Sequence, residues 1–442
     1  MAQVRIEVVG RDREHLADLR RVHSVGVVRQ TLRETPDGQW TVQAVTGEDR
    51  LPEITTAGYE VTELDRGAPA ARAAPGDERG PQGYLTVDEV EARIAKLADA
   101  NPDLVELIEL PNRTWEDRTA HALRIGSGEG GSGRGICFIG GVHAREWGSP
   151  DILVELAERL VEAYKSKQGL TFGEHELSAD DIAGIVEGGP MYVFPQVNPD
   201  GRNHSLTVDS MWRKNRRPAA NGGGDEACSG VDINRNFNFL WDFERRFSPQ
   251  AAVSNSTDPC DYEVYTGPAV ASEPESQNVV WLLEQHPDIE FFVDVHSYGE
   301  MILYNWGDDV DQVTEPDMNF RNTAYDGKRG LKGDEYMEYL DPADRDRAIA
   351  LAEGMRDAIE ATRGHRYTVQ QSMDLYPTAG TTDDYAYSRH VVSAGAPKTL
   401  SFTVEWGSDQ NQTPFHPPYA EMKHIIEEVS SGLLEFCRLA RS

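Results

Sequence analysis

Basic residues are scarce in this chain: 43 Lys and Arg stand against 75 Asp and Glu, a formal net charge of −32 over 442 residues. Neutralising phosphates takes clustered cations, so no nucleic-acid partner is expected, and anionic membranes should repel the chain. Four cysteines are too few to staple a fold of this size, which leaves apolar burial to build the core. Long apolar runs are missing too: nothing approaches the roughly 20 residues of a membrane span, and no membrane partner is expected. The opening MAQVRIEVVGRDREHLADLRR alternates apolar and charged residues and carries no apolar h-region. Localisation stays open: extracellular if a leader was trimmed, cytoplasmic if this is the native start.

What is present suffices for one large core and a smaller one, since 39% of the residues are hydrophobic. Residues 4–9 read as a strand, 13–22 as an amphipathic helix, 25–32 and 40–45 as strands; a brief helix near Leu51 and a strand over 59–64 follow. That β-α-β-β-α-β order predicts a small ferredoxin-like α+β domain over residues 1–67. Residues 68–82, rich in Pro, Gly, Ala and charge, have linker composition, with arginines that invite proteolysis. Residues 83–442 form the second domain. Apolar runs at 136–139, 191–194, 291–295 and 400–404 read as buried strands, and 87–98, 154–164, 276–283, 343–362 and 419–439 as helices. The fold class is therefore α/β, a mixed and mainly parallel sheet with helices on both faces.

Ligands in such sheets bind at the carboxyl ends of strands, and three runs end in reactive side chains: His143 with Glu146, His296, and Glu405. An imidazole and a carboxylate three residues apart after a strand can be aimed at one point, and zinc accepts that pair. A catalytic zinc needs three protein ligands and an open position, and His296 supplies the third. His-x-x-Glu alone is a common pattern. Glu405 follows an apolar strand, where an ionisable group without a partner is expensive.

The motifs HAREW at 143–147, MWRKNR at 211–216, GVDINRNF at 230–237, VHSYGEMILYNWG at 295–307, LYPTAGTTDDYAY at 375–387 and LSFTVEWG at 400–407 occur in one order. With them the chain, from about Gly83 onward, resembles the zinc carboxypeptidases typified by the pancreatic A and B enzymes. The resemblance implies an eight-stranded-type sheet, one Zn²⁺ per chain, and peptide C-termini as substrates. It implies His143, Glu146 and His296 as ligands, Glu405 as general base and Arg213 as the cation facing the oxyanion. Asn234 and Arg235 match the pair that grips the terminal carboxylate, Tyr376 a mobile tyrosine closing over it, and Arg145 and Tyr298 the outer subsites.

By the same match Asp383 sits at the base of the specificity pocket, with Gly307 and Thr403 lining it. A carboxylate there favours terminal Lys or Arg, although acidic residues also occur at this place in relatives of mixed basic and apolar specificity. Cys228 and Cys260 match the ends of the family's loop disulfide, a closure worth roughly 3 kcal/mol in an oxidising compartment. Cys137 and Cys437 read as packed thiols. The front domain is similar to the family's pro-segments in size and pattern, which suggests intramolecular inhibition of the cleft; a folding aid or a binding module is the competing role. Residues 308–341 look like an insertion that forms a rim over the cleft. Two other functions remain as alternatives: a zinc deacylase of blocked amino acids on a related site, and a non-catalytic peptide-binding module.

Overall fold

Alternation of side chains builds the front sheet. In a computed structural model describing residues 3–23, 25–66, 81–126, 134–219, 228–408, 410 and 413–442, strands Gly26–Glu34, Trp40–Gly47, Gln3–Gly10 and Glu60–Arg66 lie side by side in that order, all antiparallel. The expected linker, apart from residues 81 and 82, lies outside the described residues. Val4, Ile6, Val8, Val42 and Ala44 face one way and pack with Leu16, Leu19 and Ile54 of helices Arg13–His23 and Leu51–Thr56. The opposite face is covered as well. There Val28 and Val45 join Met211, Tyr298 and Phe415 of the larger domain, which is why Trp40–Gly47 is buried along nearly its whole length.

The larger domain is built on eight strands in the order Thr368–Gln371, Met301–Tyr304, Leu400–Trp406, Ile289–Ser297, Gly135–Gly140, Met191–Phe194, His121–Ile125 and Val105–Glu109. The four strands from Leu400–Trp406 to Met191–Phe194 run parallel, so their carboxyl ends meet along one edge. Period-two alternation sorts their side chains. Ile136, Phe138, Phe291, Val293, Val295, Phe402, Val404 and Trp406 enter the core beneath helices Gly148–Ser166, Pro342–Arg363 and Tyr419–Ala440. Cys137, Ile139 and Phe292 face helix Pro274–Gln285 on the other side. Asp294, His296, Thr403 and Glu405 share the parity of that second face, and the register sets Asp294 beside Thr403 and His296 beside Glu405.

Helix Gly148–Ser166 begins six residues before the 154–164 window read from apolar periodicity. Its first turn, Gly-Ser-Pro-Asp, has no apolar stripe, yet Pro150 is tolerated where no intrahelical N–H bond is lost. A Cβ on Gly148 would lie 2.4 Å from Met422 and 2.8 Å from Trp406, so glycine lets this turn press against the core. Within 308–341, two-residue strands Asp311–Gln312 and Glu338–Tyr339 pair around a fully buried Arg329. Its guanidinium donates to the carbonyls of Asn319, Phe320, Asn322 and Tyr325, all within the segment, and to Asp326. Cys228 and Cys260 are joined by a disulfide; Cys137 and Cys437 are buried thiols, and burial pushes the latter up to about 12. No helix among the described residues is long and apolar enough to cross a membrane.

Candidate metal and substrate site

His143 and Glu146 stand on the turn between strand Gly135–Gly140 and helix Gly148–Ser166, while His296 ends strand Ile289–Ser297. Nδ1 of His143 and Nδ1 of His296 are 3.0 Å apart, and Glu146 presents Oε1 at 2.9 Å from the first and Oε2 at 3.0 Å from the second. One donor atom from each residue falls inside a 4.8 Å triangle, and all three residues are buried. Two imidazole lone pairs repel at this distance unless a proton or a cation lies between them. Tetrahedral zinc, with bonds of about 2.0–2.2 Å, holds its ligand atoms at such mutual spacings, so two histidines and a carboxylate in a closed triangle fit this ion.

Both rings are held from behind. Nε2 of His143 lies 3.2 Å from Asp232 Oδ1, and Nε2 of His296 lies 2.8 Å from Asp294 Oδ2. Asp232 also receives Arg213, whose Nη2 donates to Oδ2 at 2.9 Å and Nε at 3.2 Å, and the backbone N–H of Asn234 at 3.0 Å. Although burial opposes ionisation, Arg213 and His143 hold the Asp232 carboxyl far below the usual range. Nη1 of Arg213 then reaches to 3.3 Å from His143 Nδ1, at the edge of the metal triangle.

Asn234 accepts from the Thr382 backbone N–H at 2.8 Å; Arg235 donates from Nε to the Ser254 carbonyl at 2.5 Å and from Nη1 to the Asn234 carbonyl at 2.6 Å. Glu405 leaves Oε2 without a hydrogen-bond partner among the described residues. Burial, opposed by His296, reinforced by Glu146 and opposed by Arg213, pushes its carboxyl up to about 8. A dication in the neighbouring triangle would draw it back down. Asp383 accepts at Oδ2 from Ser372 and Thr403, each at 3.3 Å, and at Oδ1 from the Asp384 N–H. Asp384 instead takes the Gly307 N–H and the Asn305 amide, and burial next to Asp383 and Asp308 raises its pKa well above the usual range. A Cβ on Gly307 would stand 2.6 Å from Thr378 Oγ1 and 2.8 Å from Asp384, so this position needs glycine.

His143, Glu146, Arg213, Asn234, Arg235, Tyr376 and Glu405 line one cavity of 70 Å³ together with Val25, Gly26, Val27 and Val28 of the front domain. That leaves room for a few waters. Gly26 makes the approach feasible: a Cβ there would lie 1.9 Å from Cγ of Glu263. The two residues matched to outer subsites are engaged. Tyr298, fully buried, donates its hydroxyl to Gln43 of the front domain at 3.1 Å, and Arg145 forms a two-bond ion pair with Glu263 at 2.8 and 2.7 Å.

Asp232, Asp294 and Glu263 were not singled out from the sequence. A signal existed for two of them: Asp294 interrupts the apolar strand FFVDVH two residues before His296, on its face, and Asp232 opens the DINR turn that carries Asn234 and Arg235. Glu263 carries no such pattern.

Residues 90–432 match the zinc carboxypeptidase family model. Carboxypeptidase B of Astacus astacus is 32% identical over 306 residues, 69% of this chain and 81% of that protein. Carboxypeptidase B of Bos taurus is 27% identical over 80% of this chain and 71% of that protein. The crystal structure of carboxypeptidase A from Helicoverpa armigera superposes with a TM-score of 0.69 at 20% identity, covering 99% of this chain and 97% of that one, which extends the likeness in fold to the front domain. With the His143–Glu146–His296 triangle in place, the chain belongs to the zinc carboxypeptidase family and is a metallocarboxypeptidase that acts on peptide C-termini.

Proposed function

We propose that this exopeptidase releases basic C-terminal residues, and that its front domain holds the enzyme inactive until the connecting segment is cut. The observation that carries the first part is Asp383, a buried carboxylate whose only side-chain partners among the described residues are the hydroxyls of Ser372 and Thr403 at 3.3 Å. Thr403 and Glu405 lie on the same face of one strand, which ties that carboxylate to the cleft. A lysine or arginine end would exchange long hydroxyl contacts for a charge-assisted one.

Zinc, when bound, supplies Lewis acidity at the scissile carbonyl and lowers the pKa of water. The chain's own groups do the rest. Asn234 and Arg235 fix the terminal carboxylate, and Tyr376, which lines the same cavity, covers it. Glu405 takes a proton from the attacking water and returns it to the leaving amine. Arg213, kept cationic by Asp232, faces the oxygen on which negative charge develops.

The test is hydrolysis of peptides that differ only in a last Lys, Arg, Phe, Leu or Glu. Asp383→Ala is expected to lower kcat/KM for Lys and Arg termini by roughly 10- to 100-fold, the loss of a desolvated charge partner of about 1.5–3 kcal/mol, and to leave Leu termini nearly unchanged. Equal losses for Lys and Phe peptides would sink the pocket assignment. A zinc chelator is expected to abolish cleavage of every peptide that the enzyme hydrolyses and added Zn²⁺ to restore it; chelator-resistant cleavage would overturn the mechanism.

Support for the second part is the presence of residues 25–28 in the lining of the cavity, with Val28 and Val45 packed on Met211, Tyr298 and Phe415. A substrate's penultimate residues need the space that these side chains fill.

A further inference from the structure

Asp294 is a carboxylate with no exposure to solvent, flanked along its strand by Phe291, Phe292, Val293 and Val295, a costly position unless its charge is answered. Two groups answer it. The Thr382 hydroxyl donates to Oδ2 at 2.6 Å, and Nε2 of His296 lies 2.8 Å from the same oxygen. The imidazole approaches off its N–H axis: Nε2 of His296 and Oδ1 of Asp294 are both buried without a straight hydrogen bond, and they sit on adjacent groups. Thr382, also fully buried, donates its backbone N–H to Asn234 Oδ1 at 2.8 Å. A continuous path therefore runs from the zinc ligand His296 through Asp294 and Thr382 to Asn234, across helix Thr382–Val392.

We infer that Asp294 is a positioning residue that anchors two functions at once, fixing the His296 ring for the metal and, through Thr382, fixing Asn234 for the substrate's terminal carboxylate. The second half rests on the proposed reading of Asn234. A carboxylate behind a metal-binding imidazole sets its tautomer and orientation, and loss of such a partner weakens metal binding by about 10- to 100-fold. Thr382 touches neither metal nor substrate, so its effect reaches Asn234 only through the helix start that its side chain ties to Asp294.

Three variants separate the halves: Asp294→Asn, which keeps shape and removes charge; Thr382→Val, which keeps shape and removes the hydroxyl; and Asn234→Ala. Zinc retention is read without substrate, by competing the full chain against a chromogenic chelator. Asp294→Asn is expected to give up zinc at about 10- to 100-fold lower chelator concentration, and Thr382→Val to hold it like the unaltered chain. Kinetics are read on protein folded as the full chain and then cut between residues 67 and 80. There Thr382→Val is expected to raise KM several-fold with kcat near its original value, and Thr382→Ser to restore KM. Unchanged zinc retention in Asp294→Asn would overturn the first half. An unchanged KM in Thr382→Val while Asn234→Ala raises it would overturn the second, leaving the reading of Asn234 intact. An unchanged KM in both would overturn that reading and the second half together, and the chelator competition would still decide the first.

Discussion

Glu405→Gln is expected to lower kcat by a factor of about 10² to 10⁴, the usual contribution of a positioned general base, while KM and zinc content stay close to their original values. The substitution is nearly isosteric and removes only the capacity to accept a proton. Glu405 is outside the metal triangle, so its loss leaves all three donors in place. Among the described residues its Oε2 has no partner to compete for the proton, and the parallel register sets the residue directly beside His296. The carboxyl works as a base only when ionised. Its pKa is about 8 with no cation in the triangle, and a bound dication shifts it lower, so the acid limb of kcat/KM in the zinc enzyme lies below pH 8. Single-turnover hydrolysis together with metal analysis of the purified variant checks both points. A variant that keeps more than a tenth of the rate would remove Glu405 from the role of base.

How much of this was legible in the sequence depended on whether a residue's neighbours were near in the chain. Strands 136–139, 191–194, 291–295 and 400–404 declare themselves as apolar runs because both faces of a parallel sheet are buried, and all four form within a few residues of those windows. The front domain's element order was equally plain, since hairpins and short helices are written locally. The start of helix Gly148–Ser166 was not, because its first turn is shaped by contact with Met422 and Trp406, hundreds of residues away. The same limit applied to the site. The metal triangle could be assembled from strand ends, but nothing near Arg145 in the chain indicates that Glu263 would claim both arms of its guanidinium, or that Gln43 would meet the Tyr298 hydroxyl. Asp294 lay in view: an acid inside FFVDVH is as costly as Glu405 is inside SFTVEW, and each needs a partner for the same reason.

Cutting the chain between residues 67 and 80 is expected to raise activity on peptide substrates by about two orders of magnitude. Arginines at 66, 72 and 79 make an arginine-directed protease the natural reagent. Val28 and Val45 bury against Met211, Tyr298 and Phe415, and two such side chains contribute about 3–6 kcal/mol to the closed arrangement. Part of that offsets the ordering of one domain against the other; about 2.8 kcal/mol remaining corresponds to a hundredfold. While the domains stay joined, the front domain rebinds from a high effective concentration, and the cut removes that advantage. The contact has a point that can be broken without cutting. Gly26→Leu would drive a side chain into Glu263, where even a Cβ lies 1.9 Å from Cγ, so this variant should be active uncut. The increase is expected in kcat/KM, since residues 25–28 line the substrate cavity and do not belong to the metal triangle or to Glu405. Equal kcat/KM before and after the cut, with Gly26→Leu also unchanged, would remove inhibition and leave the front domain as a folding aid or a binding module.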